Sequence, residues 1–250
     1  MPTTVNLTEG TSPRNGTTGH TVTIPATTSG SLLVGVFEAP AVITLPGGWT
    51  KRQNPVNLTE LCVATKTAGA GETSIAVTLS ASNYPLGYVV YEFANGSAWV
   101  TSNSASNASS WTALTGLPGT AVSVFGAIGR GVDAGLATGL TTSWSAPWAE
   151  EYGVNVPFAV TDGFIFTVGY QDGVTATSAT PNGSISGAGN SVTERIVFAV
   201  TVAAAGDTTA PTVPTGLTST ALGSTTADLS WTASTDAVGV TQYEVSVIGP

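Results

Sequence analysis

His20 is the only histidine and Cys62 the only cysteine in 250 residues, so nucleophilic, acid–base or metal chemistry has to run through these two or through carboxylates. A Ser-His-Asp or Cys-His relay would need His20, which opens the run HTVTIP after GTTG, with no G-x-S-x-G elbow nearby. A zinc centre needs three or four His or Cys ligands, and one of each does not supply them. The acidic residues are dispersed and no D-x-D-x-D-G loop occurs, which argues against a dedicated calcium site. A Gly-rich phosphate loop with its lysine is also missing. Cys62, in LTELCVATK, alternates like a strand residue and reads as a small buried hydrophobe; alone, it forms no internal disulfide. These residues predict no catalysis, no cofactor and no metal.

Two groups remain. Glu150 and Glu151 stand between Trp148 and Tyr152 in APWAEEYG, and Asp133 or Asp162 could approach them as a glycosidase pair. Neighbouring strand residues point to opposite faces, so at most one of the two glutamates could enter a cleft. Among the aromatics, Trp49 and Trp231 read as core. Trp99, Trp111, Trp144, Trp148 and Tyr152 lie near turns or polar segments. Rings in such places stack on sugars, or else fill a sandwich or subunit interface. Trp111, Trp144, Trp148 and Tyr152 are therefore the candidate glycan or interface contacts.

The elements that must position them are strands. Only 8% of residues are charged, against about 25% in an average globular protein. Thr is the commonest residue, 30 Gly and 14 Pro punctuate the chain, and good helix formers are few. Branching at Cβ in Thr and Val favours the pleated conformation, so the chain reads as all-β. A net charge of −9 argues against nucleic acid and anionic membranes as partners. No apolar run reaches the roughly 18 residues of a spanning helix, so no membrane insertion is expected. MPTTVNLTEGTSPRNG lacks the basic and apolar regions of a signal peptide. The N-x-S/T triplets at Asn6, Asn15, Asn57, Asn95, Asn107 and Asn182 arise by composition in so Ser- and Thr-rich a chain.

Residues 1–19 read as a polar N-terminal arm. Strands are predicted in 20–25, 31–39, 45–52, 60–68, 73–80, 84–96, 121–130, 163–172 and 194–206, with 60–68 and 73–80 forming a hairpin over GAGE. Residues 102–111 read as an edge strand or a loop, and 139–157 as two short strands. About ten strands over 20–204 suggest a two-sheet antiparallel sandwich. AGDTTAPTVPTG, 205–216, is a stiff Pro/Thr linker.

Beyond the linker, APTVPTGL, LSWTAS and VTQYEV resemble the start of a fibronectin type III domain. Three strands are expected in 217–250, with turns at Leu222-Gly223 and Thr235–Gly239 and with Leu217, Leu229, Trp231, Tyr243 and Val245 alternating inward. A whole domain of this type needs about ninety residues and about seven strands. The domain here is thus incomplete, and a continuation past Pro250 or a partner chain is expected to cover the inner face.

SGSLLVGVFEAP, PGGWTKR, TELCVATKTAGAGETSIAVTLSAS and YVVYEFANG resemble the jelly-roll-like β-sandwich domains of tailed-phage virion proteins, in particular phages of high-GC actinobacterial hosts. The resemblance extends through Trp144, Trp148, GFIFTVGY and ERIVFAVTV. It implies a non-enzymatic virion component made in the host cytoplasm, a minor tail or tail-tip protein. Implied partners are other virion proteins, further copies of the chain and host-surface glycan. A capsid decoration protein, a carbohydrate-binding adhesin and an accessory module of a secreted polysaccharide-degrading enzyme are the alternatives.

Overall fold

Alternating branched and aromatic side chains, released by Gly, Pro and Asn turns, make strands along the chain, and the computed structural model of the protein is all-β. It describes residues 6–13, 16–55, 59–106, 110–132, 141–156, 163–186, 193–203, 211–221, 226–236, 240 and 242–246. Asn15, Asn57, Asn107, Asp133, Asp162, the Leu222-Gly223 turn and linker residues 205–210 lie outside them. The chain divides into two units, Met1–Ala204 and Ala205–Pro250.

The first unit starts with β1 (Asn6–Ser12), β2 (Gly19–Thr23), β3 (Leu32–Ala39), β4 (Ile43–Thr44), β5 (Thr50–Gln53), β6 (Glu60–Thr67), β7 (Ser74–Leu79) and β8 (Leu86–Phe93). It continues with β9 (Ala98–Ala105), β10 (Leu114–Thr115), β11 (Val122–Val132), β12 (Thr141–Ser143), β13 (Ala149–Val156) and β14 (Gly163–Val174). The last three strands are β15 (Ser178–Ala179), β16 (Ser184–Ser186) and β17 (Thr193–Thr201). Residues expected as a free arm supply β1, which pairs along its whole length with β8. The stretch 102–111 resolves as an edge strand as far as Ala105, the end of β9.

The antiparallel sandwich expected from the sequence is there as two five-stranded sheets, and among the described residues each is covered on its reverse by a further layer. The first inner sheet has the order β1-β8-β3-β6-β5, the second β13-β14-β11-β17-β9. They face each other across a seam that buries Val34, Val36, Val63, Val89 and Tyr91 against Phe125, Phe164, Phe166, Ile196 and Phe198. The outer sheet β2-β7-β4 covers the reverse of the first inner sheet. The ribbons β10-β15 and β12-β16 cover the reverse of the second.

This layering explains why β6 and β7 do not form the expected hairpin. In β6, residues Glu60 to Thr65 are all buried, because the strand is covered on both faces. β7 alternates buried and exposed, as an outer-layer strand must. β6 therefore pairs with β3 and β5, and β7 with β2 and β4. The connection between them is held by the segment before β3: Gly30 N–H donates to Ala68 O and Gly71 N–H to Thr27 O.

The two halves of the unit repeat one topology. Read from β9, the second inner sheet runs β9-β17-β11-β14-β13, strand for strand the order β1-β8-β3-β6-β5. Both halves carry a bulge at the same place, between Lys51 and Gln53 and between Glu150 and Tyr152. Both enter the bulged strand through a turn closed by a tryptophan N–H, Trp49 to Pro46 O and Trp148 to Ser145 O. The counterpart of β7 is split into β15 and β16 around Pro181, which has no N–H to give to a ladder.

In the second unit, β18 (Thr215–Ala221) and β19 (Ala227–Thr232) form an antiparallel pair. The expected third strand is not one: residues 242–246 pair with no strand among the described residues. Trp231 meets Tyr243 edge-on at 5.3 Å, and Ser234 N–H donates to the Tyr243 hydroxyl at 2.7 Å. The residues expected to alternate inward do not bury here: Leu217 is 66% exposed, Val245 50% and Leu229 39%. Among the described residues of this unit, no second sheet packs against the two strands.

Candidate functional site

Three of the four candidate aromatics come together on the reverse face of the second inner sheet. Trp144 follows β12, Trp148 closes the turn before β13, and Trp111 precedes β10. Ring centroids of Trp111 and Trp144 are 5.9 Å apart, as are those of Trp144 and Trp148. The turn carrying Trp144 and Trp148 is tied down by Asn182, whose Nδ2 donates to Ser145 O at 2.6 Å and whose Oδ1 accepts from Ser145 N–H at 3.2 Å.

Glycines make room for the middle ring. Gly126 of β11 and Gly169 of β14 are register partners, and a Cβ on Gly169 would lie 2.5 Å from Trp144 Cε3. A Cβ on Gly183 would lie 2.5 Å from Trp144 Cζ2. The indole is thus slotted between two bare stretches of backbone. The tryptophans were legible in the sequence; the glycines that seat them were not, because nothing local distinguishes a glycine under a ring from one in a turn.

The polar edges of these rings are used inside the protein. Trp144 Nε1 donates to Thr167 Oγ1 at 3.0 Å, and Thr167 Oγ1 donates to Glu150 Oε1 at 2.8 Å. Thr142 Oγ1 donates to the same carboxylate oxygen at 2.6 Å. Trp111 Nε1 donates to Gly183 O at 2.8 Å, with the Arg195 guanidinium 5.7 Å from its ring centroid. Trp148 is only 5% exposed. Chemically, the cluster is a packed aromatic layer with two half-buried rings at its rim.

Tyr152 is not part of it. The bulge turns Tyr152 to the other face of β13, where it packs edge-on against Phe166 at 5.9 Å. Burial there pushes its phenol up to about 12. Glu150 is occupied by two threonine hydroxyls, and no second carboxylate joins it in a hydrogen-bonded pair among the described residues.

His20 Nδ1 shares a 2.8 Å hydrogen bond with Ser12 Oγ, and burial holds the imidazole below its usual value. Cys62 is buried and its thiol is pushed up to about 12, by burial first of all. Among the described residues no cluster of three metal-ligating side chains forms.

The reading of the sequence missed a group of buried acids. Glu38, Glu60 and Glu194 are all buried. Glu60 accepts from Ile43 N–H at 2.7 Å and pairs with Lys51. Glu194 Oε2 accepts from Thr59 Oγ1 at 2.9 Å, while Glu194 Oε1 and both oxygens of Glu38 find no donor. The signal available was a glutamate inside an apolar run, in SLLVGVFEA and in ERIVFAV. Neither a protein-family model, nor a curated protein, nor a solved structure matches this chain.

Proposed function

We propose that this chain is a non-enzymatic structural component of a tailed-phage virion, a minor tail or tail-tip protein that presents a stacked β block at the particle surface. The carrying observation is how the aromatic cluster is used: Trp111 and Trp144 spend their N–H groups on Gly183 and Thr167, and Trp148 is buried. Side chains committed in this way build a rigid wall and leave a ligand few polar handles. The strand orders support the reading: we read β1-β8-β3-β6-β5 with β2-β7-β4 as jelly-roll-like, and jelly rolls recur in viral capsid proteins and lectins.

The test is mass spectrometry of purified particles combined with antibody labelling by electron microscopy. Peptides of this chain in stoichiometric amounts, with label at the tail, support the assignment. Label over the head makes it a decoration protein, and absence from particles refutes it. Binding to host cell-wall fractions that is lost in Trp111→Ala, with the fold retained, would move the protein to the adhesin class.

A further inference from the structure

Glu38 and Glu194 both face the seam between the two halves, near enough that the charge of Glu194 acts on Glu38. In the first inner sheet Glu38 is the register partner of Gly87; in the second, Glu194 is the register partner of Gly129. A Cβ on Gly129 would fall on the Glu38 carboxyl, so that carboxyl lies against the bare backbone beside Glu194. Each acid occupies the place in its half that a glycine holds in the other. This exchange brings two carboxyls together inside the protein.

Their hydrogen bonding is incomplete by one donor at least. Thr59 gives its hydroxyl to Glu194 Oε2 and also favours the Glu38 carboxylate, so this one hydroxyl serves both acids, and Glu194 Oε1 and both Glu38 oxygens lack a donor within hydrogen-bond distance. Two ionised carboxylates placed side by side and out of water would repel and be desolvated together, which proteins avoid by retaining a proton. A proton held by the pair removes the repulsion.

Among the described residues, the cations on neighbouring strands sit on other faces. Glu60 and Lys51 are bonded to each other on the reverse face of the first inner sheet, with Cys62. Arg195 follows Glu194 on β17 and lies over Trp111, on the far face of the second inner sheet. Arg130 follows Gly129 on β11, and strand alternation directs it to that far face too. Elsewhere along the seam Arg52 bonds Thr65 Oγ1 and lies over Trp99, and Glu9 acts on the Tyr91 and Tyr152 phenols; the charges that act on Glu38 are those of Glu194 and, less, Glu60, all of one sign.

We propose that Glu38 and Glu194 share a proton at the seam, so that the cohesion of the two halves depends on pH. Burial, and then the charge of Glu194, raise the Glu38 carboxyl well above its usual value, and burial raises Glu194 to about 7. A folded state that binds more protons than the unfolded chain loses stability as pH rises. The loss begins above about 4.5, where the unfolded glutamates ionise, and continues through the folded values. Below that range the contribution is complete. Acid closes the seam and alkali loosens it.

The experiment is urea unfolding of the full chain from about pH 4.5 to about pH 8, comparing wild type with Glu194→Gln and Glu38→Gln. The amide keeps shape and a donor while removing a titration. Other shifted carboxyls remain in all three proteins, so the difference between profiles isolates the pair. Relative to each variant, the wild-type folding constant is expected to fall by up to about tenfold per pH unit between about pH 5 and about pH 7. Parallel profiles overturn the proposal. Should one variant fail to fold, the infrared difference between the wild type and the other variant decides: a protonated carboxylic-acid carbonyl band at about pH 6 that the variant lacks supports the pair, and identical spectra overturn it. A rise in wild-type stability with added calcium, reversed by chelator and lost in Glu38→Gln, would also overturn it, because a metal ion would then fill the role given to the proton.

Discussion

Substituting Gly169→Ala tests whether Trp144 is held as a structural wedge. The new methyl carbon would lie 2.5 Å from Trp144 Cε3 and 2.6 Å from Cε2, against about 3.5–4.0 Å for relaxed carbon contacts. The indole would have to retreat by about 1 Å. It cannot do so freely: Gly183 backs its other side, Thr167 holds its Nε1, and Trp111 and Trp148 flank it. Overpacking of this kind costs about 1–3 kcal/mol. Against it stands the lower chain entropy of alanine in the unfolded state, about 0.4–1 kcal/mol in the stabilising sense. The net expectation is a destabilisation of about 1–2 kcal/mol, or about 2–8 °C in Tm for a unit of this size. Gly19→Ala is the control, since a Cβ there meets nothing within 4 Å. Urea titration followed by tryptophan fluorescence reads both variants, and near-ultraviolet circular dichroism should report the displaced indole in Gly169→Ala alone. If Gly169→Ala unfolds at the same urea concentration as Gly19→Ala, or higher, Trp144 is free to move and the packed-layer reading fails.

Trp144→Ala should lose about 3 kcal/mol in denaturant titration, an effect of cavity formation that precedes any effect on ligand binding. Lys51→Met strands the buried Glu60 carboxylate. Because Lys51 keeps 29% of its side chain in solvent, the cost should be about 2 kcal/mol rather than the 3–5 of a fully buried pair, and it should shrink on adding Glu60→Gln. Cys62, enclosed and with its thiol pushed up to about 12, should resist iodoacetamide in the native protein and react on unfolding, as read by mass shift.

Strands were legible in the sequence where one of two patterns is strong. The apolar runs at 31–39, 84–96, 163–172 and 194–206 became β3, β8, β14 and β17, and the clean alternation in TSIAVTLS became β7. Pairing was not legible. β6 and β7 are neighbours in sequence and look like a hairpin, yet which sheet each joins depends on how many of its faces are covered, a property of distant chain. β1 went unseen because NLTEGTS has little apolar content, and its place is secured by backbone pairing to β8 together with Asn6, whose Nδ2 donates to Glu92 Oε2 at 2.6 Å. Of the candidate site, the rings were found and their role was left open. Tyr152 was grouped with them by proximity in sequence, and the bulge after Glu150 puts it on the other face.

The repeat of topology was hidden for a related reason. Register places Val34 and Phe125 as counterparts, and likewise Val36 and Ala127, Tyr91 and Phe198, and Ala64 and Gly169, so little identity survives beyond Gly35 with Gly126, Val63 with Val168, Val90 with Val197 and Trp49 with Trp148. The divergence follows from the seam. Two identical sheets packed face to face would set large side chains against large ones and leave holes between small ones. Here Val34, Val36, Val63 and Val89 of the first half receive Phe125, Phe164, Phe166 and Phe198 of the second, while Tyr91 and Phe93 meet Phe125 ring to ring at 4.9 and 5.9 Å. Gly87 leaves space for the Phe164 ring, as Gly129 leaves space for the Glu38 carboxyl. Size complementarity across facing layers makes the halves unequal partners. Each half is therefore shaped to the other rather than to a second copy of itself, and one acid from each side is buried where the seam reaches the ends of β3 and β17.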